Sequence, residues 1–181
     1  NTGLQELPPA QPAMVYYHYG ESAEFPQVAS GGRNAMAGPA YYKDLYNGDG
    51  ALPDYYDGKV LVYDWIRGWM KSVELFPDGT FNKMVPFASD IKLRNLIDVE
   101  VAPSGRIYLL EYGTGWFTKN EDSGLSYIEY NGGNRAPLVY DLEVDKSSGQ
   151  APLKITASLD AEDLEGDAVE YIWNLGNGDS L

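Results

Sequence analysis

The feature that most constrains the fold is a succession of short apolar and aromatic runs separated by turn residues. No stretch keeps the period of an amphipathic helix for long enough to predict one. Turn signals such as those at 76–79 and 102–105 recur about every 8–12 residues, which is typical of a β-sandwich or β-propeller. The chain is therefore predicted to be all-β, with strands at 14–19, 39–42, 59–65, 69–75, 81–87, 96–101, 106–112, 125–130, 138–144, 153–159 and 169–175.

Two local patterns refine this prediction. Segment 106–112 is apolar at both alternating sets of positions, so we expect both faces of its strand to be covered. Segments 75–81 and 101–107 share an apolar residue, a Pro-x-Gly turn and a second apolar residue, which indicates successive hairpins of a repeating β-architecture.

Charge and the scarcity of reactive side chains narrow the possible functions. The 27 acidic residues outnumber the 13 basic ones, and a net charge of −14 disfavours nucleic acid and anionic lipid while leaving cations and neutral sugars as partners. The chain has no cysteine and one histidine, which excludes thiolate chemistry, a disulfide framework and a multi-histidine metal site. No apolar run approaches the ~18 residues that span a bilayer, so no transmembrane segment is expected.

The composition changes at 131–137, a segment rich in Gly, Asn and Pro that predicts a boundary between domains at 1–134 and 135–181. The second part resembles the PKD domain, an immunoglobulin-like β-sandwich. The resemblance rests on NRAP at 134–137, GQAPL at 149–153, SLD at 158–160, EGD at 165–167, YIW at 171–173 and GNG at 176–178. Its 47 residues compare with about 100 for a seven-strand sandwich, which implies an incomplete domain.

Residues 1–134 resemble the C-terminal part of the glucose/sorbosone dehydrogenase family of β-propellers. The matching segments are GLQELPPA at 3–10, SGGRNAMAGP at 30–39, LPDYYDGK at 52–59 and DVEVAPSGRIY at 98–108. Some members bind pyrroloquinoline quinone (PQQ) and calcium and oxidise sugars. At ~40–45 residues a blade, this part would form about two to three blades, so the resemblance implies a partial propeller completed by the rest of a parent chain.

Two residues are candidates for catalysis. His18 is the only imidazole, and therefore the only side chain that ordinarily exchanges protons near neutral pH. Asp64 interrupts an apolar strand within YDWIRGW at 63–69, where aromatic rings, a carboxylate and a guanidinium suit a sugar. The alternatives are a packed or surface histidine and a structural Asp–Arg pair beside two core tryptophans.

The candidate cofactor-binding residues are Arg33, Asn34, Arg67 and Arg94. Arg33 and Asn34 lie in a Gly-rich segment whose backbone can approach a ligand, and arginine can hold a carboxylate at two points. Quinone-binding relatives tend to carry arginines just before the aspartate of the 98–108 segment; here Leu96 and Ile97 occupy those positions, and Arg94 lies further upstream. A loop with structural ion pairs is the alternative.

The acidic run at 160–167 is a candidate calcium site, because calcium takes about 6–8 oxygen ligands and Gly166 permits a tight turn. A solvated acidic turn is the alternative. The proposed ligands are Asp160, Glu162, Asp163, Glu165 and Asp167.

Two functions are consistent with these features. The resemblance implies a fragment, inactive alone, of a secreted, periplasmic or cell-surface bacterial oxidoreductase that oxidises sugars with a quinone. The alternative is a non-catalytic carbohydrate-binding or surface-assembly module, with the PKD domain as a spacer. Either function implies an extracytoplasmic location.

Overall fold

A computed structural model describes residues 3, 6, 9–134, 136–150 and 152–174. This part of the chain forms nine strands in three open antiparallel sheets, with three one-turn 3-10 helices at Pro26–Val28, Lys43–Leu45 and Asp54–Tyr56. The prediction of an all-β chain is confirmed. The strands are β1 (Ala35–Ala40), β2 (Val60–Asp64), β3 (Trp69–Leu75), β4 (Phe81–Pro86), β5 (Leu96–Val101), β6 (Ile107–Glu111), β7 (Gly124–Ile128), β8 (Leu138–Val144) and β9 (Ala157–Glu162).

The first sheet has four strands in the order β1-β2-β3-β4, each antiparallel to the next. Its last hairpin turns at 76–79, where Pro and Gly predict a reversal. The β3–β4 turn is closed by a 2.9 Å hydrogen bond from the Phe76 amide to the Thr80 carbonyl, and Gly79 there adopts a φ of 84°. The β2–β3 turn occupies 65–68, directly beside the Asp64 carboxylate.

The second sheet has the order β5-β6-β7. Ile107 and Leu109 on β6 are buried. On the other face, Leu110 is 42% exposed, and Leu125, opposite it on β7, is 68% exposed. The prediction that both faces of this strand are covered is therefore wrong. The apolar residues on the outer face contact their cross-strand neighbours, and no second layer of the described residues covers them.

The two faces of the first sheet carry separate cores. Leu61, Tyr63 and Met70 face a large core that also contains Leu96 and Ile107 of the second sheet. The opposite face, around Val73 and Met84, is covered by Phe25 and Val28, which belong to an irregular segment.

That irregular segment corrects one strand prediction. Residues 14–19 form no strand. The Val15 and Tyr17 side chains pack against the core around Val73 and Met84, and the backbone of the segment does not pair with an edge of the sheet. The second predicted strand, at 39–42, also lies too late, since β1 spans Ala35–Ala40.

The third sheet pairs β8 with β9, and it contacts the first sheet at Lys83 and the one-turn helix Asp54–Tyr56 at Tyr55. Lys83 on β4 forms a 2.9 Å ion pair with Glu162, and the Tyr55 and Tyr140 hydroxyls lie 3.1 Å apart. Leu164 joins the large core.

The strand predictions beyond β8 need correction. Residues 153–156 precede β9 as irregular chain, and 169–174 carry only an isolated bridge at Asn174. Leu175 lies outside the described residues. The predicted domain boundary near 134 stays a prediction. Among the described residues, no helix has the length and apolar character to cross a membrane.

Candidate functional site

Five of the six predicted catalytic and cofactor-binding residues belong to one network around the β2–β3 turn. The network joins the irregular segment 17–34 to the first sheet. Its members from the prediction are His18, Arg33, Asn34, Asp64 and Arg67.

The Asp64 carboxylate is buried and saturated with hydrogen bonds. Oδ1 accepts from the backbone amides of Ile66 and Arg67, at 2.8 and 2.7 Å, which shapes the turn after β2. Oδ2 accepts from the Tyr17 hydroxyl at 2.7 Å and from the Asn34 amide at 3.0 Å. These four bonds explain how a carboxylate 1% exposed interrupts an apolar strand.

The Arg67 guanidinium is occupied in the same way, by backbone carbonyls. It stacks over the Tyr17 ring at 4.6 Å from the centroid. A fork of planar N–H donors suits several acceptors on one loop, and here it fixes the path of the irregular segment. The five accepting carbonyls belong to His18, Val28, Ala29, Gly31 and Gly32, at 2.6–3.1 Å.

The remaining members of the network are more exposed. Arg33 donates from Nη1 to the Tyr17 carbonyl at 2.6 Å and lies 5.1 Å from the Tyr19 ring centroid. The exposed His18 ring accepts a 2.9 Å bond from the Gly20 amide at Nδ1, and His18 meets Arg67 through its carbonyl, not its imidazole. The network therefore presents no arrangement of His18 with Asp64 for proton transfer.

Arg94 lies apart from this network. It forms a 2.8 Å ion pair with Glu111 at the end of β6, and its backbone amide donates to the same carboxylate at 2.9 Å. Burial alone would raise the pKa of Glu111, but the hydrogen bonds and charge of Arg94 and a bond from Ser126 hold that pKa below its usual value.

These contacts bear on quinone binding. The carboxylates of PQQ would need cationic partners, yet Arg33, Arg67 and Arg94 all bind protein atoms here. Arg67 donates five hydrogen bonds to backbone carbonyls and could not hold a quinone carboxylate without breaking them, whereas Arg33 and Arg94 each use only part of the guanidinium in the contacts described, so quinone binding stays a prediction.

The acidic run lies partly on β9 and partly in the turn after it. Glu162 binds Lys83 and the Tyr140 hydroxyl, while Asp163 Oδ1 accepts from the Glu165 and Asp167 amides at 2.9 and 3.1 Å. The Asp167 carboxylate accepts a hydrogen bond from the Asn134 side chain. Asp160 on β9 lies opposite Asp141 on β8 in the strand register. Within the described ranges, no group of three or more such side chains is placed to hold a metal ion. Calcium binding here stays a prediction.

A second feature lies directly beside the network: four aromatic rings in contact at the surface. Trp65 in the β2–β3 turn lies 5.7 Å from Tyr112 and 5.0 Å from Trp116, measured between ring centroids, and Trp116 lies 4.9 Å from Phe117. Trp116 is 64% exposed and Phe117 85% exposed. We call Trp65, Tyr112, Trp116 and Phe117 the aromatic surface.

The loop between β6 and β7 holds the aromatic surface through its polar side chains. The Asn120 amide group accepts from the Gly115 amide at 2.8 Å and donates to the Tyr112 and Gly115 carbonyls. Asp122 accepts from the Thr114 amide and hydroxyl. Each of these bonds joins residues within the loop, so the loop's own side chains support its conformation.

Backbone geometry in this loop is unusual in two respects. Gly113 has a φ of 96°, and a side chain there would overlap Asn120 and Asp122. Phe117 has a φ of 49°, in the left-handed region that a bulky residue seldom adopts. A strained backbone therefore displays the most exposed aromatic ring of the group.

Polar groups border the aromatic surface. The Gly113 amide donates to the Arg94 carbonyl at 2.9 Å, which places Arg94 and its ion pair next to the loop. The Arg94 side chain is 39% exposed, Thr114 is exposed and Asp122 is half-buried. A ligand on the rings would therefore meet both hydrogen-bond donors and hydrogen-bond acceptors at the edge of the aromatic surface.

The sequence indicates Trp65, within YDWIRGW at 63–69, as a ring suited to stacking on a sugar, but it gives no such indication for Tyr112, Trp116 and Phe117. The nearest signal is YGTGWF at 112–117, where two adjacent aromatic residues follow a strand and two glycines. Trp69, considered together with Trp65, instead packs against Tyr17 and donates to the Val28 carbonyl.

Comparison with known proteins returned no match: no family model, no curated protein and no solved structure is significantly similar to this chain.

Proposed function

We propose that this chain is a non-catalytic carbohydrate-binding module whose binding site is the aromatic surface. One observation carries the proposal: Trp116 and Phe117 are exposed on a loop that is ordered by its own hydrogen bonds and strained at Phe117. Exposed neighbouring aromatic residues lose apolar contact with the core, and a contiguous exposed apolar patch marks a binding surface.

The chemistry of the surface fits a sugar. The C–H face of a pyranose ring packs on indole and phenyl rings, while hydroxyl groups at its edge reach polar side chains. Thr114, Asp122 and Arg94 supply such groups at the border. Because the loop is ordered in advance, little conformational entropy is lost when a ligand binds.

Charge distinguishes among ligands that stack on aromatic rings. Nucleic acid bases also stack on such platforms, but those proteins carry basic grooves that bind the phosphates. This chain has a net charge of −14, and Arg94 beside the rings is already paired with Glu111. A neutral glycan is the ligand that both observations favour.

The wider architecture is part of the proposal. The four-stranded antiparallel meander β1-β2-β3-β4 has the strand number and order of one propeller blade. The sheet β5-β6-β7 has three of the four strands of a second blade. We place these sheets in a partial propeller of an extracytoplasmic protein, followed by the opening strands of a PKD domain that acts as a spacer. Missing blades of the parent chain would then be its partner.

Affinity electrophoresis tests the proposed function. The chain is run through native gels containing neutral polysaccharides of different linkage, beside Trp116→Ala and Phe76→Ala. Phe76 is an exposed aromatic residue at the opposite end of β3 and serves as the matched control. We expect retardation by at least one polysaccharide, weakened at least about fivefold by Trp116→Ala only. Unretarded wild type in every gel, or equal retardation of the three proteins, would overturn the proposal.

A further inference from the structure

A second candidate site, separate from the aromatic surface, is a cavity that Lys71 lines. A cavity of about 190 Å³ lies where β3 begins and β4 ends, and Lys71 lines it although the residue is only 6% exposed. The rest of the lining is mostly apolar. It includes Trp69, Met70, Pro86, Ile91 and Leu93.

The Lys71 amine has no charged partner in the part of the chain that the structure describes. Its nearest aromatic contact is the Trp69 ring, 5.2 Å from Nζ to the centroid. Buried lysines are ordinarily paired, because an isolated ammonium in an apolar environment loses its hydration. This lysine departs from that rule.

The charged groups on the neighbouring strands are committed elsewhere. Asp64 on β2 accepts four hydrogen bonds from other residues. Glu74 on β3 binds Lys59 and Asn82, and Lys83 on β4 binds Glu162. The residues opposite Lys71 on β2 and β4 are Val62 and Pro86, which carry no charge.

An amine in this environment is a nucleophile. Burial lowers the pKa of the Lys71 ammonium, so a larger fraction of the amine is neutral near pH 7 than at an exposed lysine. A neutral amine with a free electron pair attacks carbonyl carbon, which is how lysine forms Schiff bases.

We infer that Lys71 is a reactive amine that condenses with a short aliphatic aldehyde entering this cavity. The Nζ electron pair forms a bond to the carbonyl carbon, the carbonyl oxygen takes up protons and leaves as water, and a C=N bond remains. Hydrolysis by water reverses the step, so no oxidant or reductant is consumed. The small volume and apolar lining favour a short alkyl chain over a sugar or an anion.

Competitive labelling within one chain tests this inference. The folded protein is treated briefly at pH 7 with dilute butanal and cyanoborohydride, which supplies the hydride that traps the imine as a stable butylamine. Peptide mass mapping then compares Lys71 with the exposed lysines Lys119 and Lys154. We expect Lys71 to be labelled at least tenfold faster than either. Equal or slower labelling of Lys71 would overturn the inference.

A cavity variant separates access from chance reactivity. Ile91 is 41% exposed at the rim, so Ile91→Trp can fill the cavity without opening the core. We expect this substitution to slow labelling of Lys71 at least fivefold and to leave Lys119 unchanged. Unchanged labelling of Lys71 in the variant would contradict the cavity as the route. In urea the preference for Lys71 should disappear, and its persistence there would show that the fold does not cause it.

Discussion

The Tyr17 hydroxyl donates a 2.7 Å hydrogen bond to Oδ2 of Asp64, a residue 47 positions later in the chain. This bond links the irregular N-terminal segment to the end of β2. Burial raises the pKa of the Tyr17 hydroxyl, and the hydrogen bond to the Asp64 carboxylate raises that pKa further. Asp64 thus organises the first sheet and the segment that covers it.

Replacing Asp64 tests this structural role. Asp64→Asn keeps the shape but substitutes an NH2 group for an oxygen that accepts from Tyr17 and Asn34. We expect a loss of about 1–3 kcal/mol in the free energy of unfolding, measured in urea. Tyr17→Phe removes one donor and should cost about 1 kcal/mol. An Asp64→Asn protein as stable as wild type would contradict the role.

Arg67 should tolerate no substitution by lysine. Lysine cannot present a planar fork to five carbonyls or stack as guanidinium does on Tyr17. We expect Arg67→Lys to lower the free energy of unfolding by at least about 2 kcal/mol. Arg33→Lys, at an exposed arginine with one carbonyl partner, is the matched control and should change it little. Equal effects of the two substitutions would show that the carbonyl contacts do not stabilise the fold.

The strands were predictable from the sequence where the apolar pattern and the turn residues agree. The segments 69–75 and 96–101 match β3 and β5 residue for residue, and Gly79 and Gly105 mark turns. The pattern failed at 14–19, because an apolar run that covers a sheet has the same composition as a strand within it. What separates the two is the bonding of the segment by Asp64 and Arg67, which are distant in sequence.

The candidate site was less predictable than the strands. The sequence predicts a catalytic role for Asp64 and cofactor binding for Arg33, Asn34 and Arg67. These four residues do lie together, but their contacts form a structural network. Spacing along the chain cannot reveal that a guanidinium is surrounded by carbonyls of another segment. The aromatic surface was missed because Trp65 meets Trp116 only through the approach of two loops.

Acid should loosen the contact between the first and third sheets. Burial alone would raise the pKa of Glu74 and of Glu162, but hydrogen bonds and ion pairs with Lys59 and Lys83 hold both below their ordinary value of 4.5. A carboxyl whose pKa is lowered by folding stabilises the protein above its unfolded pKa, and loses that contribution as pH falls through the folded value.

We therefore expect the free energy of unfolding to be level between about pH 5 and 7 and to fall below about 4.5. Lys83→Met removes the cation between the two glutamates, so it should make the fall shallower. Lys119→Met is the matched control at an exposed position. A Lys83→Met protein with the wild-type pH dependence would contradict the explanation.

Phe117 should show a conflict between stability and binding. Phe117→Gly removes the cost of a left-handed φ together with the ring, whereas Phe117→Ala removes the ring and keeps that cost. We expect the free energy of unfolding of the glycine variant to exceed that of the alanine variant by about 1 kcal/mol. Both should bind a glycan at least about fivefold more weakly than wild type. Equal stability of the two variants would show that the backbone is not strained.

The most direct test of carbohydrate binding at the aromatic surface uses the indole N–H signals of the four tryptophans, Trp65, Trp69, Trp116 and Trp173. Their resonances in a ¹H–¹⁵N spectrum are assigned by single substitution and followed while a neutral oligosaccharide, chosen from the retarding polysaccharide, is added. We expect saturable shifts of the Trp65 and Trp116 signals, while those of Trp69, whose indole donates to the Val28 carbonyl, and of Trp173 stay in place. Shifts confined to Trp69 or Trp173, or four signals unmoved at saturating sugar, would contradict carbohydrate binding at the aromatic surface.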